Sequence, residues 1–158
     1  VAFKLLEQED NPSWLYSVKN GATTIWERWN SYIAETGTFG DVSMNSFNHY
    51  SYGAIGQWLF TDILGIRPVE FGYKSFMLAP KFGGGLTYAK GSFTSPHGKI
   101  SSAWKLHDGK FTYDCTVPTN TTATLKLPNG DIHTLVGGSY HLMCKVATTP
   151  SLRDTSPL

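Results

Sequence analysis

Lys99-Ile100-Ser101-Ser102-Ala103-Trp104-Lys105-Leu106-His107, then Asp108-Gly109, then Lys110-Phe111-Thr112-Tyr113-Asp114-Cys115-Thr116-Val117 reads as two strands folded about a tight turn. Successive side chains of a strand point to opposite faces. Ser102, Trp104 and Leu106 therefore share one face, and Tyr113, Cys115 and Val117 share one face of the next strand. Both faces have the composition of a core. Asp108-Gly109 is a strong hairpin signal, because a type I′ turn needs positive φ at both central residues.

The same period of two extends outward from this hairpin. Ser75–Ala79, Leu86–Thr94, Thr121–Leu127, Asp131–Val136 and Ser139–Val146 also read as strands. Breakers separate them: Gly83-Gly84-Gly85, Ser95-Pro96-His97-Gly98, Pro128-Asn129-Gly130 and Gly137-Gly138. Seven short strands with regular turns predict an antiparallel β-sandwich over residues 74–146. From Ala147 the chain is rich in Thr, Pro and Ser, and the expectation there is a disordered tail.

Before about residue 67 the period is helical. Phe3, Leu5 and Leu6, then Trp14, Leu15 and Val18, predict two short helices broken at Asn11-Pro12. Phe47, Tyr50, Ala54, Ile55, Trp58, Leu59 and Ile63 predict a helix over 46–66, stopped by Gly65. Gly53 and Gly56 inside it each cost about 1 kcal/mol relative to Ala. Arg67-Pro68 opens a linker over 68–73. The chain is thus of the α+β class, helical first and β second. Val1–Glu9 reads as helix without a start signal, so the expectation is that it continues a longer protein. It lacks the basic leader and small-residue cleavage site of a signal peptide, and the compartment stays open.

Composition excludes several classes. The 158 residues carry 16% charged and 14% aromatic side chains, unlike a disordered chain. The net charge is +1, from 13 basic and 12 acidic residues, so no basic stripe predicts a nucleic-acid partner. The longest mainly apolar stretch, Tyr52 to Ile66, is interrupted by Gln57 and Asp62, so no membrane span is expected. Cys115 and Cys144 lie on strand faces among apolar neighbours, which predicts buried free thiols ahead of a disulfide. Without a CxxC or a nearby His pair they do not predict zinc, and no metal or cofactor is expected.

Chemistry concentrates in the helical part. Thr23-Thr24-Ile25-Trp26-Glu27-Arg28-Trp29 sets one carboxylate between two indoles, and Ser46-Phe47-Asn48-His49-Tyr50 sets an imidazole among aromatics. Indole faces suit the C–H faces of a sugar, and a carboxylate beside them can activate water, as in a glycoside hydrolase subsite. A second reading stands beside this one. Thr24-x-x-Glu27 fits a capping box, with Glu27 reaching back to the Thr24 N–H. His49 fits a structural histidine near a helix start, Arg28 a salt bridge, and Trp26, Trp29 and Trp58 a core. His97, His107, His133 and His141 share no ligand spacing. Asn120-Thr121-Thr122 is a glycosylation sequon that matters only on a eukaryotic secretory route.

Gly21-Ala22-Thr23-Thr24-Ile25-Trp26-Glu27-Arg28-Trp29, Met44-Asn45-Ser46-Phe47-Asn48-His49-Tyr50-Ser51-Tyr52-Gly53 and Phe82-Gly83-Gly84-Gly85-Leu86-Thr87 together resemble the C-terminal part of bacterial and fungal α-L-rhamnosidases. The resemblance runs from about residue 3 to about residue 142. It implies that residues 1–67 are the last helices of an (α/α)6 catalytic barrel and that the β-sandwich follows it. It implies an inverting, metal-independent hydrolase of α-L-rhamnosides. Glu27 then matches the general base, His49 a residue contacting rhamnose, and Trp26 or Trp29 could wall the sugar's methyl group. The general acid would lie in the missing N-terminal part of the same enzyme, so the chain alone is expected to be inactive. Partners would be a rhamnose-containing glycan or glycoside and that missing part.

Competing expectations are a carbohydrate-binding module using Tyr88, Phe93, Trp104, Tyr113 and Tyr140, a purely structural β-sandwich, or another (α/α)6-barrel glycosidase.

Overall fold

The computed structural model describes residues 1–147; the tail expected to be disordered lies, beyond Ala147, outside the described residues. The chain divides into two compact units, residues 1–61 with 83–86, and residues 62–82 with the chain from 87 on.

In the first unit, helix α1 spans Ala2–Glu7 and helix α2 spans Trp14–Lys19, with a cis Asn11–Pro12 bond between them. Ser13 caps α2, its Oγ accepting the Tyr16 N–H at 2.9 Å. Strands β1 (Tyr32–Ile33) and β2 (Thr38–Phe39) form a small hairpin that periodicity did not predict.

The long helix expected over 46–66 is shorter. Helical structure begins at Ser51 as a 3-10 turn, passes through helix α3 (Ile55–Trp58) and ends as a π turn over Leu59–Ile63. Residues 46–49 are instead irregular, with bends at Phe47 and Asn48. Their backbone groups bond to residues 25–27, the His49 N–H reaching the Ile25 carbonyl at 2.8 Å and the Glu27 N–H the Ser46 carbonyl at 2.9 Å. A backbone already paired across the chain cannot also close helical i to i−4 bonds.

In the second unit, strands β3 (Ile66–Pro68), β4 (Ser75–Leu78), β8 (Thr122–Lys126) and β9 (Ile132–Leu135) form one sheet in the order β3-β4-β8-β9. Strands β5 (Tyr88–Ser95), β6 (Gly98–His107), β7 (Lys110–Val117) and β10 (Gly138–Lys145) form the other, ordered β10-β7-β6-β5. All pairs are antiparallel except β4 with β8, so the sandwich is mostly rather than wholly antiparallel. Strand β3 corrects the expected linker. Pro68 lacks an N–H, and an edge strand is where a sheet accommodates that. Gly65, just before β3, has φ +74°, and a Cβ there would lie 2.2 Å from the Ala79 carbonyl carbon, so only glycine fits.

The buried faces alternate as expected. Phe111, Tyr113, Cys115 and Val117 of β7 are buried with Ile100, Ser102 and Trp104 of β6, and Phe76, Leu78, Ala123 and Leu125 are buried in the other sheet. A polar chain runs through this core. Tyr113 donates to Ser102 Oγ at 3.0 Å, and Ser102 donates to the Leu64 carbonyl at 2.7 Å. The Trp104 indole donates to the Ile63 carbonyl at 2.9 Å. Residues 63 and 64 are thereby fixed to β6, and each buried hydroxyl or N–H has a partner. Burial raises the Tyr113 phenol well above its ordinary pKa, against the pull of the Ser102 hydrogen bond.

Both cysteines are free and buried, as predicted. Burial first, then the Asp114 charge, pushes the Cys115 thiol up to about 12. In a Cys144→Ser background, a disulfide reagent at pH 8 should therefore label native Cys115 roughly 10³-fold more slowly than the unfolded chain, whose thiol keeps its ordinary pKa. Labelling at the unfolded rate would contradict this burial.

Candidate functional site

Glu27 lies on an irregular segment, not at a helix start, and this corrects the capping-box reading. The Thr24 hydroxyl, which the box would aim at the Glu27 N–H, bonds instead to the Phe47 carbonyl. The Glu27 carboxylate accepts the Ser46 N–H through Oε2 at 2.7 Å. Backbone and side chain of Glu27 thus both engage Ser46. Two rungs along the same pairing, Ile25 holds His49. Residues 27 and 49, far apart in the two sequence motifs, come to neighbouring segments joined by backbone hydrogen bonds.

His49 is half-buried. Its Nδ1 accepts the Ser51 N–H at 3.3 Å, which places the proton of a neutral ring on Nε2. The ring stacks on exposed Tyr50, with centroids 5.3 Å apart and planes within 6°. Arg28 is directed away from a partnership with Glu27. Its guanidinium approaches Asp41 at 3.9 Å. Asp41 is held below the usual carboxylate range, first by the Ser43 backbone and side-chain hydrogen bonds and then by Arg28.

The indoles sit differently from the arrangement suggested by their flanking of Glu27. Trp26 is buried and meets Phe47 edge-on, with centroids 5.3 Å apart. Trp29 stacks on Tyr52 at 3.8 Å and meets Trp14 edge-on at 5.1 Å. Trp14 in turn donates from its indole N–H to the Tyr52 carbonyl at 3.0 Å. Trp26 and Trp29 line one apolar hollow of about 400 Å³, together with Trp14, Tyr52, Ile55 and Leu59. Glu27 and His49 are not among its lining residues. Trp26 faces that hollow, whereas the Glu27 carboxylate turns to the Ser46 N–H.

Sequence reasoning missed Ser31, Asn45 and Ser46. Ser46 supplies the carboxylate's hydrogen bond, Ser31 is fully buried, and the Asn45 amide donates to the Ser31 carbonyl at 2.9 Å. No local signal could have revealed them, since the contacts span 14 and 19 residues.

In the second unit, the five aromatics proposed as a sugar platform do not share a face. Trp104 and Tyr113 are core, whereas Tyr88 is 63% exposed. Phe93 packs on Tyr73 with centroids 4.7 Å apart. The Tyr140 hydroxyl bonds to the Val136 carbonyl. Among the described residues, no three His, Cys, Asp or Glu side chains form a group able to hold a metal ion. No described helix is long and apolar enough to cross a membrane.

Two family models match the chain. One, described as the bacterial α-L-rhamnosidase 6 hairpin glycosidase domain, covers residues 1–63. The other, the bacterial α-L-rhamnosidase C-terminal domain, covers residues 65–141. An α-L-rhamnosidase of Streptomyces avermitilis is 45% identical over 128 residues, which is 81% of this chain and 12% of that relative. One from Formosa agariphila is 44% identical over 135 residues, 85% of this chain and 14% of that relative. The chain therefore spans only a small C-terminal share of the rhamnosidases it matches.

Solved structures of α-L-rhamnosidases are similar as well. The S. avermitilis α-L-rhamnosidase complexed with L-rhamnose has a TM-score of 0.83 at 36% identity, covering 91% of this chain and 16% of that one. The native α-L-rhamnosidase of Aspergillus terreus has a TM-score of 0.84 at 37% identity, covering 89% of this chain and 17% of that one.

Proposed function

The chain belongs to the bacterial α-L-rhamnosidase family, and on that premise we propose that it is the C-terminal part of an inverting α-L-rhamnosidase in which Glu27 is the general base. In this reading the chain through Ile63 ends the (α/α)6 catalytic barrel, and the sandwich follows it in sequence from β3 (Ile66–Pro68) to β10. The observation that carries this reading is the hydrogen bond from the Ser46 N–H to Glu27 Oε2. It holds one carboxylate oxygen and leaves the other able to accept a proton from water.

In the proposed reaction, that water loses a proton to Glu27 as its oxygen attacks the anomeric carbon. The bond to the leaving group breaks on the opposite face, and a general acid elsewhere in the longer enzyme protonates the departing oxygen. The two carboxyl groups of an inverting pair stand roughly 6.5–9.5 Å apart, which leaves room for the water. His49, on the segment paired with that of Glu27, contacts the sugar's hydroxyl groups. Trp26 and Trp29 line a hollow that Glu27 and His49 do not, so in this reading they pack behind the segment that bears Glu27 rather than wall the sugar. Without the acid and the rest of the pocket, the 158-residue chain by itself is inactive.

Stereochemistry tests this directly. The longer enzyme containing this chain, given an aryl α-L-rhamnoside, should release rhamnose whose first anomer is β, followed by proton NMR before mutarotation. First release of the α anomer would mean retention, and the general-base role of Glu27 would fall.

A further inference from the structure

Glu27 is held by a loop, and the loop is closed on one buried residue. The chain leaves Glu27 through Arg28, runs out through the β1–β2 hairpin and returns at Asn45 to Ser46. Ser31, with no exposed surface, fastens both ends. Its Oγ accepts the Arg28 N–H at 3.2 Å, next to Glu27. Its carbonyl accepts the Asn45 side-chain N–H at 2.9 Å, next to Ser46. The same carbonyl accepts the Gly40 N–H at 2.9 Å. Gly40 is confined to glycine there, because a Cβ would sit 2.7 Å from the Asn30 carbonyl oxygen.

The Asn45 amide has a feature that packing alone does not explain. Its Oδ1 is buried with no hydrogen-bond partner among the described residues. A buried acceptor left unpaired destabilises a fold. An apolar residue of the same shape would avoid that cost, but it would lose the Nδ2 donor that reaches Ser31.

We propose that Asn45 is a positioning residue for Glu27: by clasping the Ser31 carbonyl it sets the Ser46 N–H against Glu27 Oε2, and so fixes which carboxylate oxygen remains for the attacking water. The catalytic half of this inference rests on the reading of Glu27 as the base. The structural half does not. Asn45 acts through Ser46 and touches no reacting atom.

Amide hydrogen exchange of the 158-residue chain, resolved by NMR, tests the structural half with the isosteric Asn45→Leu and with Asn45→Ala. The Ser46 amide should exchange at least about tenfold faster in both, as its local opening becomes easier. The Asn20 amide, bonded to the Tyr16 carbonyl at 3.1 Å in the same unit, should be unchanged. A Ser46 amide that keeps its protection overturns the proposal. So does equal loss at Asn20, which would make Asn45 a general stabiliser.

In the longer enzyme, Asn45→Leu should lower kcat by about 10² with KM little changed, the scale of a small misplacement of a reacting group. Added to Glu27→Gln, the same substitution should cost little more. A full additional loss in that background overturns the positioning role. If the enzyme ignores rhamnosides altogether, the functional reading fails while the exchange result still decides the clasp.

Discussion

Trp104→Ala is expected to destabilise the β-sandwich by about 4–5 kcal/mol, a large share of the 5–15 kcal/mol that typically holds a domain together. The indole is 1% exposed and stacks on Phe111 with centroids 5.7 Å apart. Truncation opens a cavity at the centre of β6 and β7. It also removes the donor to the Ile63 carbonyl, leaving a buried acceptor unpaired. The two costs separate in Trp104→Phe, which restores most of the bulk but not the donor and should lose about 1–2 kcal/mol. Urea unfolding followed by far-UV circular dichroism measures both. A loss below 2 kcal/mol for Trp104→Ala would show that the indole is not the centre of this core.

Trp104 and Ser102 hold the carbonyls of Ile63 and Leu64, the residues at which helical structure ends and β3 is about to begin. Hydrogen bonds from β6 and the Gly65 conformation thus fix residues 63–65 just before β3. The π turn over Leu59–Ile63 lies immediately before these contacts.

How much of this was legible in the sequence varies by residue and by the range of the interaction. The hairpin over 98–117 was readable because strand alternation and the Asp108-Gly109 turn are local properties, and β7 is found at the predicted Lys110–Val117. Strand β3 was not, because Pro68 is a breaker everywhere except at an edge, and only the assembled sheet makes it one. The helix over 46–66 was over-extended at its start. Phe47 and Tyr50 fit helical spacing, but the backbone of residues 46–49 bonds to residues 25–27, a pairing that no local window contains.

The same limit governs the site. Glu27, His49, Trp26 and Trp29 stood out by residue type. Their grouping did not follow from their spacing: the indoles turn to an apolar hollow, and the carboxylate turns to Ser46. Asn45 and Ser31 carry no signature of their own. Their importance comes from geometry between segments fourteen residues apart.

The central claim is that Glu27 activates water at an α-L-rhamnosyl centre, and the most direct measurement is nitrophenol release from an aryl α-L-rhamnoside by the longer enzyme, wild type against Glu27→Gln. Gln keeps an oxygen that can accept the Ser46 N–H, so the fold and its thermal transition should be unchanged. It cannot take a proton from water. The expected result is a loss of about 10³–10⁴ in kcat/KM, near the upper range for a positioned general base. A folded Glu27→Gln enzyme that keeps more than a tenth of the wild-type rate would contradict the claim, and the base would have to be another residue.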